Sequence, residues 1–152
     1  MRTLRLIAEP QGIHDGIHRN GLAEKFVESG NGRILVKFGD YFPDFTTSCI
    51  YASNALLESN PAALRAFLAG WYETIAYMRD HRQAILDTTI KQIGMSPGVA
   101  SAIYDDTMPT MSLDGRFDPK ALDLLADSFV AMKLLPSKPD MSELYTEAYL
   151  PK

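Results

Sequence analysis

At three places in this chain a helix-capping side chain stands directly before a proline: Asn60-Pro61, Ser96-Pro97 and Asp118-Pro119. Proline at the first helical position loses nothing by lacking an N–H, and its fixed φ suits the first turn. The residue before it supplies an oxygen to a free backbone donor. Each pair therefore marks a helix start, and together they commit residues 61 to about 134 to a run of helices. After Pro61, the residues Leu64, Phe67, Leu68, Trp71, Ile75 and Met78 recur every three or four positions. This is an apolar stripe on a helix of about five turns, with Trp71 expected in the core. A second helix is predicted from Arg82 to Ile93, stopped by Gly94, and a third starts at Pro97. A fourth runs from Pro119 to about Leu134, burying Leu122, Leu125, Phe129 and Met132, and a short turn is expected at Met141 to Leu144.

The residues ahead of this run read differently. Thr3 to Ala8 alternates like a strand and ends at Pro10 and Gly12. Between Ile13 and Glu28 the pattern is mixed: Ile13, Ile17, Phe26 and Val27 could share a helical face, but Gly16 and Gly21 weaken a continuous helix. Ser29 to Gly32 is a turn, and Arg33 to Phe38 a β-rich run. Gly39 to Phe45, with Pro43 inside, is an extended connector. Thr46 to Ala52 is a second β-rich run, apolar enough to be buried on both faces, with Cys49 as an inert small hydrophobe within it.

At 152 residues, 46% hydrophobic and 22% charged, the chain has the make-up of an ordinary globular domain. Its formal net charge of -4 disfavours binding to a phosphate backbone. One cysteine excludes an internal disulfide framework. No glycine-rich loop has the spacing for nucleotide phosphates. The first ten residues lack a sustained apolar stretch and a small-residue cleavage site, so they are not expected to act as a secretory signal. His14 and His18, with Asp15, are the only cluster with ligand chemistry. On a helix they would share a face, but a third ligand at close spacing is missing, and no metal site or cofactor is expected. Asp105, Asp106, Asp114 and Asp118 read as caps of turns and helices, and His81 as a complement to a helix C-terminus.

Four segments in order carry a resemblance: Gly-Asp-Tyr-Phe-Pro-Asp-Phe (39–45), Thr-Ser-Cys-Ile-Tyr-Ala-Ser (47–53), Asn-Pro-Ala-Ala-Leu-Arg-Ala-Phe-Leu-Ala-Gly-Trp (60–71) and Asp-Gly-Arg-Phe-Asp-Pro (114–119). They resemble the C-terminal portion of solute-binding proteins of ABC importers, in the nitrate, sulfonate and taurine class with its pyrimidine-precursor-synthase-like branch. The fold this implies is α/β and helix-dominated: an incomplete periplasmic-binding-protein-like (type II) fold with few strands. In that mapping residues 1–38 end the second lobe, 39–46 form the hinge crossing, and 47–152 are the C-terminal part of the first lobe. The implied function is capture of a small organic solute, without chemistry, for a membrane permease, and the implied location is periplasmic, which requires an export signal outside this sequence. The implied ligand-binding residues are Glu9 at a strand end facing the cleft, and Tyr41, Phe42 and Asp44 in the crossing, with Phe45 beside them. Glu9 could equally be a solvated carboxylate before a turn, the aromatics could pack the hinge, and Asp44 could stabilise a turn. A full member has further first-lobe strands, and their absence here leaves apolar surface uncovered. Self-association through an exposed strand edge and apolar helix face is the expected consequence. The alternatives are a truncated, non-binding remnant that self-associates, and an enzyme like the pyrimidine-precursor synthases. That enzyme class uses a cysteine-rich motif, whereas this chain has Cys49 alone.

Overall fold

A computed structural model describes residues 3–8, 14–46 and 48–152, and for residues 3–8 and 14–20 the backbone alone. The chain is helix-dominated. Its elements are β1 (Thr3–Ala8), β2 (His14–Arg19), α1 (Asn20–Glu28), β3 (Arg33–Lys37), α2 (Asn54–Ser59), α3 (Pro61–Asp80), α4 (Arg82–Ile93), α5 (Pro97–Thr107) and α6 (Pro119–Ala131). Short 3-10 turns lie at Phe38–Asp40, Met108–Thr110 and Met141–Glu143. The residues fall into two compact units. The first joins residues 1–43 to 78–111, and the second joins 44–77 to 112–152.

In the first unit, β2, β1 and β3 form an antiparallel sheet in that order. Leu4 stands opposite His18 on one side and Lys37 on the other, and the register toward β3 shifts between Arg5 and Leu6. Over residues 14–28 the ambiguous stretch thus resolves into a strand followed by a helix. Pairing with β1 takes up the backbone groups of residues 14–19 that face it, a long-range term that local periodicity does not contain. Helix α1 packs on this sheet and on α5. Ala23 is fully buried, with Phe26 and Ile34 against it. The helix ends in a Schellman motif: Gly30, at φ 72°, donates to Val27 O, and Asn31 N–H donates to Phe26 O at 3.2 Å. Leu86, Val99, Ala100 and Met108 complete the buried apolar set of this unit among the described residues.

The capping pairs behave as their chemistry requires. Asn60 Oδ1 accepts from Ala63 N–H at 3.1 Å, Ser96 Oγ from Val99 N–H at 3.2 Å, and Asp118 Oδ1 from Lys120 N–H at 2.8 Å. Gly94 closes α4 in the left-handed region at φ 68°. A further helix, α2, was not anticipated. Its Ser53 cap accepts from Leu56 N–H, but the six-residue segment has no buried side chain to give it periodicity.

In the second unit α3 buries Leu64, Leu68 and Ile75, and α6 buries Ala121, Leu122 and Ala126. Each large aliphatic side chain so buried contributes roughly 2 kcal/mol. Trp71 is a correction: it is 43% exposed and stacks on Phe67, ring centroids 6.1 Å apart. Trp71 lies three residues after Leu68 and four before Ile75, in the middle of the stripe, so its exposure reflects what packs beside α3 rather than the direction in which it projects. Helix α6 stops at Ala131, earlier than its apolar pattern suggests, and Met132 is exposed. Lys133 takes φ 60° just beyond. The proline-rich stretch after it is tied to α6 by Lys138, whose ammonium lies 2.6 Å from Asp123 and 2.9 Å from Asp127. The 3-10 turn at Met141–Glu143 falls where a turn was expected.

Among the described residues of Thr46 to Ala52, the predicted buried strand is not formed. Residues 48–53 have no regular structure, Cys49 is exposed, and Tyr51 is 91% exposed. A β-rich run becomes a strand only when a neighbour takes up its N–H and C=O groups, and the sheet of this chain is built from other residues.

Candidate functional site

Of the four residues suggested for ligand binding, Tyr41, Phe42 and Asp44 are described, and none of them lines the open depression of either unit. Glu9 lies outside the described residues. Tyr41 and Phe42 follow the 3-10 turn, and both donate their backbone N–H to Phe38 O, at 3.0 and 2.9 Å. Their rings face solvent, at 70% and 53% exposure. Both belong to the first unit, whereas Asp44, also exposed, begins the second. Phe45 beside it is half-buried.

The His14–Asp15–His18 cluster sits in β2 rather than on a helix. A strand rises about 3.3 Å per residue, so positions four apart are about 13 Å apart along it, too far to share one ion. Their side chains lie outside the described residues. Among the described residues no three His, Cys, Asp or Glu side chains are close enough together to hold a metal.

Among the described residues, each unit carries an open depression. The first, about 290 Å³, is lined by Arg79, Tyr104, Asp105, Met108 and Pro109. Its polar groups are already engaged. Arg79 Nη2 donates to Met108 O at 3.1 Å and to Met111 O at 2.6 Å, tying down the 3-10 turn after α5. Tyr104 Oη donates to Met78 O at 2.6 Å. Asp105 accepts from Arg82 Nε and Nη2 at 2.8 to 3.1 Å and from Ser101. These hydrogen bonds, Arg82 first, hold its carboxyl below the usual carboxylate range. Arg82 also lies over the Tyr104 ring, 5.3 Å from its centroid.

The second depression, about 600 Å³, lies between α3 and the C-terminal segment, with Arg65, Ala66, Ala69, Ala148, Leu150 and Lys152 on its walls. The Arg65 guanidinium sits 5.1 Å from the centroid of the Tyr149 ring. The C-terminal segment is fastened by Glu147, whose carboxylate accepts from Phe117 N–H at 3.0 Å and from Arg116 Nη1 at 3.1 Å. Tyr145 and Phe117 add a ring contact at 4.7 Å.

Of the aspartates read as caps, Asp118 caps α6 and Asp114 closes the turn before it, accepting from Arg116 N–H at 3.0 Å. Asp105 and Asp106 do something else. They pair with Arg82 and with Lys37, the latter at 2.9 Å. The spacing in sequence from Lys37 to Asp106 is too long for any local signal to reveal. His81 stands between α3 and α4, its carbonyl accepting from Ile85 N–H. Among the described residues no helix is long and apolar enough to cross a membrane.

Comparison of the chain with family models, with curated proteins and with solved structures finds no match.

Proposed function

We propose that this chain is a solute-capture module of an ABC importer, part of a two-lobed binding protein whose first-lobe sheet is not supplied by these residues. In this reading it binds a small organic solute without chemistry and delivers it to a membrane permease, in the periplasm. Glu9, Tyr41, Phe42 and Asp44 are the residues assigned to the cleft. The observation that supports it is a set of exposed apolar side chains within the second unit, at the segments that carry the resemblance. Ile50 and Tyr51 in the unpaired stretch 48–53, and the stacked Phe67 and Trp71 on α3, are all exposed. In a two-lobed binding protein, first-lobe strands would cover such residues. A water-exposed aromatic pair and an unpaired β-rich run both favour association with a covering surface. The same side chains favour a second reading, a self-associating remnant with no ligand.

Light scattering on the purified chain, with thermal-shift titration of taurine, nitrate and an aminopyrimidine, separates the two. A rise in melting temperature with one of these solutes, lost in Tyr41→Ala and Phe42→Ala, supports capture. A dimer or larger species that none of the solutes stabilises supports the remnant. A monomer unaffected by every solute sinks both.

A further inference from the structure

The chain contains the dipeptide Asn-Gly twice, at Asn20-Gly21 and at Asn31-Gly32. In water this pair is prone to a self-reaction, because glycine has no side chain to hinder its backbone nitrogen. The two copies flank one helix, and the structure sets them in opposite situations. Asn20-Gly21 forms the first turn of α1. Gly21 is half-buried there, and a methyl group in place of its hydrogen would lie 3.4 Å from Ile103 Cδ1. Ring closure on the glycine nitrogen needs the backbone to rotate at ψ of the residue before it, and a helix holds that angle at about −42°. Asn31-Gly32 lies in the exposed turn after the same helix. The hydrogen bonds of that turn are donated by Ser29, Gly30 and Asn31, not by the Gly32 N–H. The Asn31 side chain makes one bond, Nδ2 to Ser29 Oγ at 3.0 Å, between two exposed groups that water exchanges readily.

We propose that Asn31 is a site of spontaneous modification, and that Asn20 is spared because it opens a helix. The Gly32 nitrogen gives up its proton to solvent and bonds to Asn31 Cγ. The Cγ–Nδ2 bond breaks, ammonia leaves, and a five-membered imide forms. Water then opens either imide C–N bond, giving aspartate or isoaspartate, and nothing is oxidised or reduced. The product carries one more negative charge, and the isoaspartate form adds a carbon to the main chain between α1 and β3. The Asp114-Gly115 pair is a built-in comparison. Its Gly115 N–H is engaged by Ser112 Oγ at 2.9 Å, and its carboxylate is held by Arg116 N–H. This pair should resist the analogous loss of water.

The test needs no variant. The intact wild-type chain is kept folded at mildly alkaline pH, and in parallel in urea, and both samples are mapped by peptide mass spectrometry. Isoaspartate is assayed by enzymatic methyl transfer. In the folded sample the peptide with Asn31 should gain one mass unit several-fold faster than the peptide with Asn20. In urea the two should react at similar rates. Asn20 reacting as fast as Asn31 in the folded chain overturns the proposal, as does an unchanged Asn31 over the time in which the unfolded chain reacts.

Discussion

The Tyr72 hydroxyl lies where a side chain at position 115 would have to go. A Cβ on Gly115 would collide with the end of the Tyr72 ring and lie 2.8 Å from Leu150 Cδ2. Gly115 also holds φ at 77°, where L-residues are strained. Gly115→Ala should therefore cost roughly 2 kcal/mol or more in unfolding free energy. Urea denaturation compares it with Gly70→Ala, where the added methyl meets open space. An equal effect at both positions would sink the crowding account.

The neighbouring Asp114 gives the chain an acid limb. Its carboxyl is held below the usual range chiefly by the Arg116 backbone N–H, then by the Ser112 hydroxyl and the Arg116 charge. A lowered folded pKa contributes stability that is present above the unfolded value of about 4 and is lost as pH falls through the folded one. Asp114→Asn should accordingly be less stable than wild type at neutral pH. The gap in melting temperature should close as the solution is acidified below about pH 4.

Tyr72 gives the opposite limb. Burial, and then the charge of Asp114, raise its phenol above the ordinary value. A raised folded pKa contributes stability present below about pH 10, lost as pH rises through the folded value. Thermal scans should show wild type losing stability above about pH 10 more steeply than Tyr72→Phe. Parallel curves would remove Tyr72 as the cause.

Arg79 closes the 3-10 turn after α5 by donating to the carbonyls of Met108 and Met111. Arg79→Met keeps much of the side-chain bulk and strands both acceptors. A cost of roughly 1 to 3 kcal/mol is expected in chemical denaturation. A neutral result would mean water replaces the guanidinium without loss.

Ser96 caps α5 and also donates its hydroxyl to the Glu28 carboxylate. Ser96→Ala should lose about 1 kcal/mol. Ser53→Ala should lose less, because α2 is six residues long and buries nothing. Equal losses would assign the whole effect to local capping.

The chain's local chemistry determined its helix boundaries. A capping oxygen beside a proline, or a glycine free to turn left-handed, acts within one turn, so residues 61, 94, 97 and 119 mark helix ends without reference to the rest of the molecule. The apolar stripe of α3 located Leu64, Leu68 and Ile75 in the core for the same reason. Tertiary structure decided whatever needs a partner far along the chain. Residues 14–19 became a strand because β1 is beside them, whereas 48–52, with stronger β-propensity, did not. The pairs Lys37–Asp106 and Arg82–Asp105, the Arg79 clasp and the Glu147 fastening join groups whose meeting depends on chain path. Trp71 shares the stripe with Leu68 and Ile75, and its exposure depends on what packs beside α3. Periodicity gives the direction of a side chain but not what covers it.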